Sequence, residues 1–136
     1  MRFVDTNILI YSVSFQPEDT AKRAVAAALL EETDLVLSVQ VLQEFYVQAT
    51  RPSRPQRLSH DDALLLISCW LRFPVQETTV ALLQAALAAK ARFQISFWDA
   101  AIIEAARAAG CRQILSEDLN PGQDYGGLTV INPFAA

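Results

Sequence analysis

The chain has 136 residues, of which 52% are hydrophobic and 19% charged, so it is the size of one domain with enough apolar material for a core, and disorder is excluded. No run of about 18 apolar residues occurs, so no membrane-spanning helix is expected, and the acid at Asp5 excludes a secretory h-region at the N-terminus. A net charge of −4 and a pI near 4.9 argue by themselves against a nucleic-acid binder, which usually shows a basic face.

Residues 2–5 predict a short strand, and the apolar residues 7–13 a short helix. Pro17, followed by Glu18 and Asp19, predicts a helix start, because proline suits the first position and acids the first turn. The alanine-rich sequence behind it should stay helical to about Glu32. Residues 34–38 predict a buried strand, and 39–50 a helix with Val41, Leu42, Phe45 and Ala49 on one face. Two prolines make 51–58 a loop. Ser59 and Asp62 form a capping box that opens a helix to about Arg72. A short strand over 74–76 and a helix over 78–91 follow. Ser96 and Asp99 form a second capping box, opening an apolar helix that stops at Gly110. Residues 112–116 and 128–131 are the last strands. Strands alternating with helices imply crossover connections, hence a mostly parallel sheet covered on both faces, a three-layer α/β/α sandwich. Cys69 and Cys111 form no CxxC or ligand cluster, and suit core packing in a reducing cytoplasm.

In such a sheet the ligand site lies at the carboxyl ends of the strands. Asp5 ends the first strand and Asp118 follows the 112–116 strand. Glu44 lies in the first turns of the helix leaving the 34–38 strand. Asp99 opens a helix that runs antiparallel to the strands, so its head points to the same edge. Four distant stretches therefore bring four acids to one edge. They cannot all stay ionised in one cleft without protons or a cation. Oxygen-only ligands favour Mg²⁺ or Mn²⁺, which can serve displacement at a phosphate. His60 is the only histidine, so a histidine-based mechanism or an ordinary zinc site has little to work with. No phosphate-binding glycine motif occurs.

Each acid also has a plain structural meaning: Asp5 as a helix cap, Glu44 as a solvated helix residue, Asp99 as a capping-box member, Asp118 as a turn former. Arg51, Arg54 and Arg57 are read as a solvated loop in preference to phosphate contacts, and Phe97 and Trp98 as core in preference to base-stacking residues.

Val4-Asp5-Thr6-Asn7, Gln43-Glu44-Phe45, Phe97-Trp98-Asp99-Ala100, Leu115-Ser116-Glu117-Asp118 and the closing Asn132-Pro133-Phe134, in this order and spacing, resemble the PIN-domain family over essentially the whole chain. The resemblance implies one PIN-like domain over residues 1–136 and an Mg²⁺- or Mn²⁺-dependent endoribonuclease. Bacterial members of this size are typically cytoplasmic toxins of toxin–antitoxin pairs. The resemblance assigns catalytic and metal-binding roles to Asp5, Glu44, Asp99 and Asp118, and supporting roles to Asn7 and Ser116. RNA is the implied substrate. The implied partners are a cognate antitoxin, docking a short apolar–basic segment, and a second copy of the chain. The sequence departs from many members where Asp118 is followed by Leu119-Asn120-Pro121-Gly122 and not by an aromatic, which leaves Glu117 as a competitor for the fourth acid. Two other functions compete: an aspartyl-phosphate enzyme using Asp5, and an inactive interaction module. The first usually wants an acid where Asn7 stands and a late lysine, whereas the only lysines are Lys22 and Lys90.

Overall fold

Phe3, Val4, Leu35, Val36, Leu37, Ile114 and Leu115 are almost wholly buried. Such short unbroken apolar runs suit strands that have helices on both faces. In the computed structural model, which describes residues 1–135, they form β1 (Arg2–Val4), β2 (Leu35–Ser38) and β4 (Gln113–Leu115), joined by β3 (Val75–Gln76) and β5 (Thr129–Ile131). All pairings are parallel, and the order is β3-β2-β1-β4-β5. The helices are α1 (Thr6–Ser12), α2 (Thr20–Leu29), α3 (Val39–Ala49), α4 (His60–Trp70), α5 (Val80–Phe93) and α6 (Phe97–Ala108). Helix α1 packs on both α2 and α3, α3 on α4, and α5 on α6. The chain steps outward from β1 to β2 to β3, then returns to the other side of β1 to lay down β4. Right-handed crossovers in opposite directions put the helices on opposite faces, which gives the expected three layers.

The caps that the sequence offers are used. Ser38, Ser59, Thr79 and Ser96 each accept an N–H from the residue three positions on, at the heads of α3, α4, α5 and α6. Gly110, at φ +79°, provides the left-handed residue past the end of α6. Val41, Leu42, Phe45 and Ala49 are all buried on α3.

Several boundaries differ from the sequence expectation. Pro17–Asp19 forms a 3-10 turn and α2 begins only at Thr20. Its end is at Leu29, short of Glu32, because Leu30 is buried and the chain must turn into β2. There the Arg2 guanidinium forks onto Asp34 (2.9 and 2.8 Å) and also reaches Glu32 (2.5 Å). Helix α5 runs two residues past 91, to Phe93, whose ring packs edge-on against the buried Tyr125 at 5.2 Å. Gln94 then takes a left-handed φ of 54° to end it. The strands expected at 2–5 and 112–116 end at Val4 and Leu115, although the Asp5 N–H still donates to the Leu115 carbonyl and the Ser116 N–H to the Ile131 carbonyl, each at 3.0 Å. Cys111 is buried as expected, but Cys69 is exposed on the outer face of α4. Among the described residues no helix is long and apolar enough to cross a membrane.

Phe45 is fully buried and meets Trp70 edge to face at 4.7 Å, holding α3 to α4. Replacing it with alanine should cost about 3–5 kcal/mol in urea unfolding at pH 7. A loss under about 1 kcal/mol would contradict this packing.

Candidate active site

Strand order reverses between β1 and β4, which lie side by side, and the crevice outside their carboxyl ends is where a parallel sheet accepts a ligand. A cleft of about 380 Å³ opens there. Asp5, Glu44, Asp99 and Asp118 all line it, together with Asn7 and Glu117. Four acids from α3, α6 and the ends of two strands thus meet at one opening.

Asp5 is buried, at 7% exposure. It caps α1, its Oδ1 accepting the Thr6 N–H at 2.7 Å. Its Oδ2 accepts the Ser116 hydroxyl at 2.7 Å, and the Asn7 amide lies at 3.4 Å. Burial pushes the Asp5 carboxyl up to about 6, against the lowering effect of the Ser116 and Thr6 bonds, with the Asp118 and Glu44 charges adding to the rise.

Ser116 is fully buried and works as a hub. Its hydroxyl donates to Asp5 and accepts the backbone N–H groups of Asp118 (3.1 Å) and Leu119 (3.3 Å). Asn7 spans the cleft floor: its amide donates to Ser116 Oγ at 3.2 Å and to Asp118 Oδ2 at 3.3 Å, while its carbonyl accepts the Glu117 N–H at 3.2 Å. These bonds fix where the loop after β4 presents its acids.

Glu44 is half-buried, and its Oε1 accepts from Thr6 Oγ1 (3.3 Å) and Gln40 Nε2 (3.1 Å). Burial raises its carboxyl above the ordinary glutamate value, and the charges of Asp99 and Asp118 add to the rise. Asp99 takes only half of the capping-box role. Its N–H donates to Ser96 Oγ at 3.0 Å. Among the described residues the return bond from Ser96 N–H to the Asp99 carboxylate is not made, so that carboxylate is left for the cleft it lines.

The neighbours Glu117 and Asp118 part company. Glu117 forms an ion pair with Lys22 and accepts the Tyr11 hydroxyl at 2.6 Å. Burial works to raise its carboxyl, but the Lys22 and Tyr11 bonds prevail and hold it below the usual glutamate value. Asp118 is exposed in the cleft and, among the described residues, pairs with no cation. The same contact removes Lys22 from any role as a free cation over Asp5.

The acids are oxygen donors suited to a hard divalent ion. As they stand, no group of three or more His, Cys, Asp or Glu side chains among the described residues is gathered tightly enough to hold one.

Three contributors to the cleft escape the sequence reading. Thr6 and Gln40 are buried polar residues that hold Glu44. Gln40 sits four residues before Glu44 on α3, a helical spacing that could have flagged it. Arg54, read as part of a solvated loop, lines the cleft. Trp98 was expected in the core but is 65% exposed, while Phe97 is half-buried beside it. Arg57 lies elsewhere, lining a hollow with Tyr46 and His60.

The sequence profile of the PIN domain matches residues 2–122. No curated protein sequence matches the chain. Among solved structures, a toxin–antitoxin complex from Klebsiella pneumoniae is similar at TM-score 0.72 and 17% identity, covering 100% of both chains. The sarcin–ricin-loop-cleaving toxin VapC20 of Mycobacterium tuberculosis is similar at TM-score 0.66 and 21% identity, over 87% of this chain and 92% of that one. The VapBC2 complex of Rickettsia felis, bound to a promoter DNA fragment, gives TM-score 0.67 at 14% identity, over 96% of this chain and 97% of that one. Identities this low show the shared fold.

The buried Asp5 makes a prediction about stability. A carboxyl whose native value is raised binds its proton more tightly folded than unfolded. Its ionisation therefore penalises the fold above about pH 6, and the penalty disappears as pH falls from about 6 to about 4. The full shift corresponds to about 3 kcal/mol. In EDTA at pH 7, Asp5→Asn should be more stable than the natural chain by about 1–3 kcal/mol, because one hydrogen bond is weakened while the buried charge is gone. The gap should close by about pH 4. Urea unfolding across this range checks it, and a gap that widens toward acid would contradict the burial argument.

Proposed function

The chain belongs to the PIN domain family, and from that premise we propose that it is a metal-dependent endoribonuclease, the toxin of a toxin–antitoxin pair. The observation that carries this is the convergence of Asp5, Glu44, Asp99 and Asp118, from four separate stretches of sequence, on one cleft at the sheet's switch point. The likeness to a sarcin–ricin-loop-cleaving toxin and to toxin–antitoxin complexes supports RNA as substrate and an antitoxin as partner. In this reading residues 1–136 are a single catalytic domain working in the cytoplasm.

The four carboxylates are the residues that would hold Mg²⁺ or Mn²⁺. When bound, such an ion supplies a more acidic water and neutralises charge on the phosphate. The chain's own groups have distinct tasks. Asp5 is the fixed ligand, immobilised through both oxygens by Thr6 and Ser116. Glu44 is held through Oε1 alone, so its Oε2 is available to take a proton from an attacking water. Asp118 is aimed by Asn7, and Ser116 positions both Asp5 and the backbone at Asp118. Arg54, at the cleft wall, is placed to hold a backbone phosphate. Asp5 is a poor nucleophile, being buried with both oxygens engaged, which disfavours the aspartyl-phosphate alternative.

An antitoxin could insert a cationic side chain among the acids and so compete with the ion. A homodimer is supported by the apolar residues left exposed on α4 and α5, among them Leu65 and Val80. Helix α2, whose only buried residue is Ala26, presents a further small-residue surface.

Purified protein should cleave RNA with Mg²⁺ or Mn²⁺ and be silenced by EDTA. Asp5→Asn should lose activity by more than about 100-fold while staying folded, and Ser116→Ala by about 10–100-fold, the size of effect typical when a ligand's supporting partner is removed. Cleavage in excess EDTA, or undiminished cleavage by Asp5→Asn, would falsify the assignment.

Asp99 provides a separate check. Mn²⁺ at about one hundred times its dissociation constant should stabilise the natural chain by roughly 2.7 kcal/mol, a shift of several degrees. Asp99→Asn should match or exceed the natural chain in EDTA and lose much of the Mn²⁺ response. A variant that melts lower in both conditions with a full-sized Mn²⁺ shift would make Asp99 a capping residue only.

A further inference from the structure

Helix α6 buries nearly all its apolar residues, from Ala100 to Ala106. Trp98 is the one large apolar side chain of the helix left exposed, with its indole 65% exposed at the cleft wall. A large aromatic left in water beside a polar site is unusual in a helix that otherwise packs well. The ring is also held. The Phe97 ring meets it edge-on at 5.1 Å and 78°. The Ser96 cap fixes the head of the helix. Gln40 Nε2 donates both to the Trp98 carbonyl (3.3 Å) and to Glu44 Oε1 (3.1 Å). Trp98 is therefore tied to one acid through Gln40 and to another, Asp99, by the chain itself.

Beyond the indole the cleft continues into a shallow groove of about 350 Å³ on α3, whose lining includes Gln43, Val47 and Arg51. Glu44, Gln48 and Trp98 line both cleft and groove, which makes them one continuous surface. Arg54 lines the cleft and Arg51 the groove, and the turn between them is closed by the Arg54 N–H on the Arg51 carbonyl at 3.0 Å. A flat open ring, amide side chains beside it and two arginines on one loop match the needs of an unpaired nucleotide: a face to stack on, partners for base edges, and cations for the phosphates.

We propose that Trp98 is a stacking platform for an unpaired RNA base next to the bond that is cut, with Arg54 and Arg51 holding the flanking phosphates. The proposal rests on the nuclease reading for the identity of the polymer. Single-stranded RNA is favoured over a protein segment because the groove opens directly into a cleft fitted to phosphodiester chemistry and carries cations in an otherwise acidic molecule. The platform limits cleavage to sites where a base can be splayed out, such as loops and bulges.

The test reads binding without cleavage, in EDTA at low salt, using a labelled single-stranded RNA of mixed sequence and ~12 nucleotides, within the span that single-strand sites cover. Trp98→Ala should weaken binding roughly 10- to 100-fold, the loss expected for one stacked base, and Trp98→Phe should restore most of it. The other tryptophan, Trp70, is 4% exposed. RNA should therefore quench the emission of the natural chain but not that of Trp98→Phe, which retains Trp70 alone. An RNA of the same length with abasic sugars should bind the natural chain and Trp98→Ala equally. Arg54→Gln should lower the slope of log affinity against log salt by about 0.7. Unchanged affinity in Trp98→Ala with a normal circular dichroism spectrum would overturn the proposal. So would full affinity for the abasic strand. No response of Trp98 emission to RNA would also overturn it and leave the groove to a protein segment. Intact cleavage with a normal Trp98→Ala variant would remove the platform and spare the nuclease. Absent cleavage with base-dependent quenching would do the reverse.

Discussion

A carboxylate buried at the end of the central strand is costly, and the architecture around the cleft is arranged to compensate it. Asp5 leaves β1 at the point where β4 runs alongside, and its two oxygens take the first N–H of α1 and the Ser116 hydroxyl from the end of β4. One residue thereby closes the head of a helix and joins two strands beyond the last ladder bond. Without those donors the ionised group would carry a desolvation penalty that a small domain can ill tolerate. With them it remains raised but fixed, which is the condition a ligating or catalytic carboxylate needs. The Asn7 and Ser116 bonds spread the constraint to the loop after β4, so that Asp118 is positioned by the same interactions that compensate Asp5.

The charge distribution around this centre bears on the conflict between an acidic protein and the nucleic-acid substrate proposed for it. Much of the negative charge relevant to the site is gathered in the cleft, where a bound cation would invert its effect on an approaching phosphate. The arginines that line the opening, Arg54 and Arg51, lie on a proline-marked loop next to it and not on a broad basic face. Net charge is thus a poor guide to such a cleft, because it averages over carboxylates and arginines of opposite sign that lie close together. The ion pair of Lys22 with Glu117 belongs to the same pattern. It neutralises one acid of the cleft lining and holds α2 against the loop after β4.

Much of the fold was legible from local rules. Short apolar runs gave the strands, and Ser59 and Ser96 marked the heads of α4 and α6, because caps and buried strands depend on neighbours close in sequence. The parallel sheet followed from the alternation of elements, and the common edge for Asp5, Glu44, Asp99 and Asp118 followed from topology, since crossover connections leave little choice of where strand ends and helix heads meet. What escaped the sequence depended on partners far along the chain. The end of α2 followed from the burial of Leu30 at the turn into β2, and the pairing of Arg2 with Glu32 and Asp34 joins residues far apart in the chain. The length of α5 followed from Phe93 finding Tyr125.

The sequence by itself determined the edge on which Asp5, Glu44, Asp99 and Asp118 gather and the capping residues that aim two of the helices, because each follows from spacing and chain direction. Only the tertiary structure distinguishes Glu117 from Asp118, since both line the cleft but Lys22 and Tyr11 engage the first from α2 and α1 and the second pairs with no cation among the described residues. It also decided that Trp98 stays outside while its helix is buried, and that Gln40 and Thr6 hold Glu44. Those outcomes depend on which surfaces remain uncovered after packing. Hydrophobicity and local pattern set only what a residue prefers, whereas the neighbours brought by the fold set what it can reach.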